Sequence, residues 1–146
     1  MRPIKRILMA TDFSAGAAVA ATTAGQLARQ LGATIDVVTA VDTSPLVECY
    51  GDVAFRTTRM AEIIRAARAQ VEEFARQQFG DIDYRVHVRD GSVFLEIIRA
   101  AQDLGSDLIV MGTHGRTGLE HLLIGSTAEK VVRRSPIPVL TVRAGG

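Results

Sequence analysis

Short apolar runs alternate along this chain with longer segments of helical periodicity, and this alternation constrains the fold more than any other feature. Residues 7–9 and 108–111 are apolar throughout, which is typical of strands buried on both faces of a sheet. Between such runs, apolar residues recur at helical spacing and are followed by helix-terminating glycines, namely Gly32, Gly80 and Gly105. Strands that alternate with helices predict right-handed βαβ crossovers and a parallel sheet covered on both faces.

The segment boundaries follow from the same periodicities. We predict five strands, at residues 5–10, 34–41, 84–89, 108–111 and 139–143. We predict about four helices, at residues 15–31, 60–79 and 93–104 and in the segment that Gly125-Ser126-Thr127 opens. Ser14 and Ser92 are suited to cap two of these helices. Residues 42–58 contain Pro45 and Gly51 without a clear period, so we predict a long loop there.

Length and composition restrict the class of protein. A chain of 146 residues with 47% hydrophobic and 23% charged residues is typical of one globular domain, spanning residues 1–146. The net charge of +1 gives no electrostatic reason to expect a nucleic acid or an anionic membrane as partner. No apolar run approaches the roughly 18 residues of a membrane-spanning helix. Cys49 is the only cysteine and cannot form an internal disulfide, which favours a reducing, cytoplasmic setting.

The segment of residues 107–134 carries the strongest functional signal. Its apolar run is followed by Gly112 and Gly115, and after nine intervening residues Gly125 opens a helical segment. Glycine at such points indicates a tight turn, a positive φ or a close approach of the backbone to a ligand. A strand, a glycine-rich loop and a helix N-terminus together form an anion site, because free N–H groups and the helix dipole both favour phosphate.

The glycine spacing differs from the common nucleotide motifs. The chain has no Gly-Lys pair, which a Walker A loop requires, and Gly112, Gly115 and Gly118 do not match GxGxxG. The pattern G-x2-G-x9-G-(S/T), with the flanking VMGTHGRTGL and GSTAEKVVRRSPIPVLTVR, resembles the ATP-binding branch of the universal stress protein family. The opening ILMATDFS shares this resemblance, which covers most of the 146 residues.

The resemblance implies a topology and a place for the ligand. It implies the strand order 3-2-1-4-5, in which the order reverses between the first and the fourth strand. Ligands of open parallel sheets bind beyond the carboxyl ends of the strands at such a reversal. The turn Ala10-Thr11-Asp12 and the loop from Met111 to Gly115 would then face each other across one crevice.

Four segments supply the candidate nucleotide-binding residues. The candidates are Ala10, Thr11, Asp12, Val41, Met111, Gly112, His114, Gly115, Arg116, Gly125, Ser126 and Thr127. Asp12 either suits the strand-to-helix turn alone or places its carboxylate at the adenosine end of the ligand or near a bound Mg²⁺. For Val41 the resemblance implies that backbone groups contact the adenine edge, although core packing would also explain a valine there.

The start of the last helix has two explanations. Ser126-Thr127-Ala128-Glu129 fits a capping box, in which the serine and glutamate side chains bind backbone N–H groups of the first turn. The same helix end could bind phosphate through Ser126 and Thr127, and the two roles can coexist. Ala128 departs from ATP-binding relatives that carry a hydroxyl residue there, which weakens the case for direct phosphate or metal contact at this position.

The loop side chains do not form a recognisable catalytic set. The chain contains no GxSxG elbow, no HExxH motif and no motif with paired carboxylates. The resemblance implies that His114 lies along the phosphates, and Arg116 could pair with the terminal phosphate, although both residues also suit an exposed loop. We therefore expect a regulatory protein that binds ATP, or else AMP or ADP, together with Mg²⁺ and with slow hydrolysis at most. The alternatives are an interaction dimer that binds no nucleotide and a weak ATPase or phosphotransferase.

The last predicted strand is an apolar sheet edge. Residues 139–143 have the sequence VLTVR, and an apolar edge of this kind must be covered or paired. Pro138 restricts the register of pairing without abolishing it further along the strand. We therefore predict a homodimer through this strand, with the two copies related by a twofold axis, and the family resemblance implies the same contact.

Overall fold

The computed structural model of the protein describes residues 2–49, 51–114 and 124–144. Its strands are β1 (Arg6–Ala10), β2 (Thr34–Val41), β3 (Tyr84–Asp90), β4 (Leu108–Gly112) and β5 (Val139–Val142). The helices of the described part are α1 (Ala15–Leu31), α2 (Ser44–Cys49), α3 (Val53–Phe79), α4 (Val93–Asp103) and α5 (Ser126–Arg134). Each predicted strand is present, and its ends differ from the prediction by one residue at most.

The strands form one parallel sheet in the order β3-β2-β1-β4-β5. β1 is the central strand, so Ile7 lies opposite Ile35 of β2 on one side and opposite Leu108 of β4 on the other. Residues 7–9 are completely buried, which explains why β1 is continuously apolar rather than alternating. The structure thus confirms the predicted α/β class, the parallel pairing and the strand order.

The two faces of the sheet are covered by different helices. Successive strand residues point to opposite faces, so Ile7 and Met9 pack with α1 and α3, whereas Leu8 packs with α4 and α5. α1 presents a stripe of small residues, among them Ala20 and Ala24, which allows its backbone to approach the sheet closely. The result is a three-layer sandwich with the sheet in the middle.

α1 begins and ends where the sequence predicts. Ser14 is its N-cap, and the Ser14 hydroxyl oxygen accepts a hydrogen bond from the N–H of Ala17 at 3.2 Å. Gly32 ends the helix in the left-handed region with a φ of 65°, and its N–H donates to the carbonyl oxygen of Ala28. These local signals set the two ends of α1.

The prediction of a long loop at residues 42–58 is wrong. α2 occupies part of this segment, and α3 begins at Val53, so the described part has five helices rather than about four. The part of α3 that the sequence analysis missed, residues 53–59, is almost wholly exposed and shows no apolar period to detect, and the first buried residue of the helix is Ala67. The available signal was Asp52, whose side chain accepts a hydrogen bond from the N–H of Ala54 at 2.9 Å as a helix cap.

None of the helices in the described ranges is long and apolar enough to cross a bilayer.

A buried carboxylate ties the edge strand β3 to the centre of the sheet. Asp36 of β2 is 1% exposed, and three cationic or polar side chains surround it. Arg6 donates to Asp36 at 3.1 Å, Arg85 contacts it at 3.1 Å, and the Nε2 atom of His87 lies 2.8 Å from its Oδ1 atom. Asp36 needs these partners because burying a carboxylate without them would be costly in free energy.

Candidate functional site

A cavity of about 300 Å³ opens beyond the carboxyl ends of β2, β1 and β4. This volume lies in the range of small-molecule sites. The strand order places the ends of β2 and β4 on opposite sides of the end of β1. The cavity therefore extends across the position where the strand order reverses, as expected for a ligand site in an open parallel sheet.

The cavity lining divides into three parts that follow the strand order. β2 and α4 contribute Val38, Ala40, Val93 and Ile97. The turn after β1 contributes Ala10, Thr11 and Asp12, with Ala17 of α1 beside them. The end of β4 and the start of α5 contribute Met111, Gly112, Thr113, His114 and the segment from Gly125 to Ala128. One end of the cavity is thus apolar, and the other is formed by the end of β4 and the N-terminus of α5.

The structure gathers most of the sequence-predicted residues around this one cavity. The lining includes Ala10, Thr11, Asp12, Met111, Gly112, His114, Gly125, Ser126 and Thr127. Gly115 and Arg116 lie outside the described residues. Val41 is described, but it is not part of the lining.

Gly112 and Gly125 are glycines because other backbone segments approach them closely. Gly125 has an extended conformation with a φ of −74°, and its N–H donates to the carbonyl oxygen of Thr113 at 2.6 Å. A Cβ atom at Gly125 would lie 3.0 Å from that oxygen, and one at Gly112 would lie 3.2 Å from the carbonyl oxygen of Gly16. The structure thus excludes a positive φ at these two glycines and explains them by the close approach of other backbone segments, which the sequence analysis did not consider.

The predicted capping box at the start of α5 is wrong. Gly125 is the N-cap, Ser126 is the first helical residue, and the structure shows no side-chain hydrogen bond at this cap. The carboxylate of Glu129 pairs with Arg133 instead of returning to the start of the helix. Ser126 and Thr127 therefore sit in the first turn, where backbone N–H groups have no partner within the helix. Ala128 is buried and lines the cavity with a methyl group.

The turn after β1 holds Asp12 at the middle of the cavity. An oxygen of the Asp12 carboxylate accepts a hydrogen bond from the N–H of Ser14 at 3.0 Å, and the Thr11 hydroxyl oxygen accepts one from the N–H of Phe13 at 3.0 Å. Phe13 has a φ of 66°, a conformation that is uncommon for a residue other than glycine. Asp12 thus shapes the turn and lines the cavity, so the two explanations that the sequence offered for it are compatible.

The backbone of β2 presents Ala40 to the cavity. The N–H of Thr11 donates to the carbonyl oxygen of Val38 on the β1 side, and the N–H of Gly91 donates to the carbonyl oxygen of Val41 on the β3 side. Backbone groups of alternate strand residues point to the same side, so those of Ala40 point toward β1. β1 ends at Ala10, which pairs with Val38. The N–H and C=O of Ala40 therefore point into the space beyond β1.

His114, which lines the cavity, contacts neighbouring residues through both its ring and its backbone. Its Nδ1 atom lies 3.1 Å from the hydroxyl oxygen of Thr113. Its carbonyl oxygen lies close enough to Gly16 that a Cβ atom there would come within 3.0 Å. The start of α1, the end of β4 and the start of α5 thus form one closely packed backbone cluster.

The apolar end of the cavity was missed by the sequence analysis. Val38 and Ala40 share a face of β2 because strand side chains alternate, and this period was a usable signal. Val93 is an apolar residue at the exposed start of α4, 36% exposed at the cavity. Ile97 lies within the helix predicted at residues 93–104, but only the packing of α4 on β2 places it at the cavity.

Comparisons with known proteins agree on the family. The sequence model of the universal stress protein family matches residues 3–143. This chain belongs to the universal stress protein family. The universal stress protein MJ0531 of Methanocaldococcus jannaschii is 30% identical to it over 95% of this chain and 82% of the relative. A universal stress protein of Thermus aquaticus is 34% identical over 95% of this chain and 98% of the relative.

Solved structures share the fold. The structure of MJ0577 matches with a TM-score of 0.87 and 25% identity over 99% of both chains. The universal stress protein UspA of Lactobacillus plantarum matches with a TM-score of 0.81 and 25% identity, over 98% of this chain and all of that chain. A universal stress protein in complex with cAMP matches with a TM-score of 0.64 at 23% identity over 99% of this chain and 100% of that chain, which shows a common fold.

Gly125→Ala should lower the free energy of unfolding by about 1–3 kcal/mol, because the new methyl group would crowd the carbonyl oxygen of Thr113. Gly51→Ala is the matched control, since a Cβ atom there has no neighbour within 4 Å. Ser126→Ala should change stability by less than about 0.5 kcal/mol, whereas a true cap would cost about 1 kcal/mol. Urea unfolding of the three variants measures these differences, and equal losses in all three would contradict the assignment of Gly125 as the crowded N-cap.

Proposed function

We propose that this chain, acting as one domain, is a cytoplasmic ATP-binding regulatory protein that functions as a homodimer. The observation that carries the proposal is a single cavity whose two ends suit the two halves of a nucleotide. The end at β4 and α5 offers backbone N–H groups at a helix N-terminus, which favour phosphate. The end at β2 and α4 is apolar and favours a planar base. The cytoplasmic setting accords with the presence of a single cysteine.

The base end recognises adenine through backbone groups of β2. Ala40 takes the role that the sequence analysis assigned to Val41, because the backbone groups of Val41 are directed toward β3. An N–H and a C=O on one residue form a donor and acceptor pair, and the N1 and N6 groups of adenine form the complementary pair. Val93 and Ile97 supply the apolar wall beside the base.

The triphosphate extends from the turn after β1 to the start of α5. Asp12 lies between the two ends, so its carboxylate is suited to the ribose or to a cation on the phosphates. Ser126 and Thr127 offer first-turn N–H groups and hydroxyls to the phosphate end. The cAMP complex of a relative shows only that a protein of this fold binds an adenine nucleotide, so the choice of ATP rests on the cavity itself.

Mg²⁺ would bind at this site together with ATP rather than as a permanently bound ion. The described residues contain no group of three or more His, Cys, Asp or Glu side chains that could hold a metal ion. Mg²⁺ is commonly held by one or two carboxylates together with phosphate oxygens and water. Asp12 is the only carboxylate among the described lining residues, and the ion would offset the negative charge of the phosphates.

ATP with Mg²⁺ should bind with low-micromolar affinity, about −8 kcal/mol. Gly125→Ala should weaken binding roughly tenfold, because crowding at the N-cap displaces the first turn of α5. Gly51→Ala should bind like the wild type. Isothermal titration calorimetry of the three proteins with ATP, ADP and AMP tests the proposal and establishes which nucleotide is preferred. A wild-type protein that binds none of them would support the interaction dimer instead.

Hydrolysis should be slow, with a turnover well below the roughly 1–10³ s⁻¹ typical of enzymes. Among the described lining residues there is no lysine to stabilise the γ-phosphate, and Asp12 is the only carboxylate. A steady-state phosphate-release assay measures the turnover. Many turnovers per second in the wild type, lost in Asp12→Asn, would show that the protein is an ATPase.

The dimer contact proposed here is the free edge of β5. β5 pairs with β4 on one side, and no described strand lies on its other side. Ile109 donates to the carbonyl oxygen of Pro138 and Thr113 donates to that of Val142, so these residues face β4. The backbone groups of Val139 and Thr141, at the alternate positions, therefore face outward and can pair with a second copy.

The wild type should have a mass of about 31 kDa in solution, twice the 15.7 kDa of one chain. Thr141→Pro should shift the equilibrium to the monomer, because it removes an outward N–H without removing one that bonds to β4. Thr141→Val keeps the N–H and should remain dimeric. Light scattering at tens of micromolar protein measures these masses, and a wild-type mass of about 16 kDa would exclude the β5 dimer.

A further inference from the structure

The ends of β2 and β3 are joined by a side-chain contact just outside the cavity. Thr43 lies two residues after β2 and is only 5% exposed, and Asp90 is the last residue of β3. The Thr43 hydroxyl donates to the Asp90 carboxylate at 2.7 Å, and the N–H of Thr43 donates to the same carboxylate at 3.1 Å. A carboxylate that accepts two such bonds forms a stronger link than a neutral pair would.

A backbone hydrogen bond beside the Thr43–Asp90 contact also joins the ends of β2 and β3. The N–H of Gly91 donates to the carbonyl oxygen of Val41 at 2.8 Å. Gly91 has a φ of 151°, and a Cβ atom there would lie 3.0 Å from the side chain of Glu96 in α4. The turn from β3 into α4 is therefore packed tightly against both the end of β2 and the first turn of α4.

The linked segments carry the two walls of the apolar end of the cavity. β2 carries Ala40 three residues before Thr43, and α4 carries Val93 three residues after Asp90. Thr43 and Asp90 themselves do not line the cavity. Their contact can instead act on a ligand indirectly, through the separation between Ala40 and Val93.

On the basis of the nucleotide-binding function proposed above, we propose that Thr43 and Asp90 are positioning residues for the base. Their contact sets the width of the slot between β2 and α4, and it thereby raises the affinity for the base without affecting the phosphate end. A merely structural contact would instead stabilise the fold and affect every ligand alike.

The test compares a ligand with a base and a ligand without one. Isothermal titration calorimetry measures ATP and inorganic triphosphate on the wild type, Thr43→Val and Asp90→Asn. Each variant should weaken ATP roughly five- to tenfold while triphosphate changes by less than about twofold. If triphosphate binds too weakly to measure, ribose 5-triphosphate, which lacks only the base, replaces it and should also change by less than about twofold.

Two control variants test whether a loss of affinity is specific to the Thr43 hydroxyl and to the Asp90 carboxylate. Thr43→Ser keeps the hydroxyl and should retain the wild-type affinity for ATP. Asp42→Asn makes the same chemical change as Asp90→Asn at a neighbouring carboxylate, which accepts from the N–H of Ser44 and should leave the affinity unchanged. The double variant Thr43→Val/Asp90→Asn should lose less affinity than the sum of the two single losses, because both substitutions weaken the same contact.

The outcomes distinguish this inference from the proposed function. A wild type that does not bind ATP would overturn both. A wild type that binds ATP, with Thr43→Val and Asp90→Asn unchanged, would overturn the positioning role alone. Equal weakening of ATP and triphosphate would also overturn it, since that result indicates a general structural effect.

Discussion

The parallel pairing of β1 with both β2 and β4 is the constraint on which the rest of the molecule depends. The chain leaves β1 toward α1 on one face of the sheet and leaves β4 toward α5 on the other face. Two connections that diverge from adjacent strands cannot cover the space between them, so a crevice opens there. The complete burial of residues 7–9 holds β1 in the centre and so fixes the position of the crevice.

Small residues allow three backbone segments to meet at one end of this crevice. A Cβ atom added at Gly16, Gly112 or Gly125 would lie only 3.0–3.2 Å from a carbonyl oxygen of another segment. Such packing leaves no room for a side chain at these positions, so Gly112 and Gly125 present only backbone to the cavity. Backbone groups that are held rigidly in this way would not have to be ordered before they bind the proposed nucleotide.

The two edge strands of the sheet, β3 and β5, carry different kinds of side chain. On one face of β3, the side chains of Arg85 and His87 contact the buried carboxylate of Asp36. The side chain of Arg89 on the same face contacts the carboxylate of Glu96. Charged residues at an edge oppose pairing with another sheet. β5 instead presents apolar residues such as Leu140, which is 36% exposed. This asymmetry is why β5 rather than β3 is the edge proposed for the dimer.

The sequence by itself determined the alternation of strands and helices, the bounds of α1 and the glycine-bearing loop, because these depend on periodicity and capping within one segment. Only the tertiary structure decided which features from distant segments meet. The register of β2 against β3 brings Asp90 to Thr43 across 47 positions and directs Ala40 rather than Val41 toward the cavity. The approach of Thr113 makes Gly125, not Ser126, the cap of α5. Such contacts depend on strand pairing and packing, which leave no mark on local sequence.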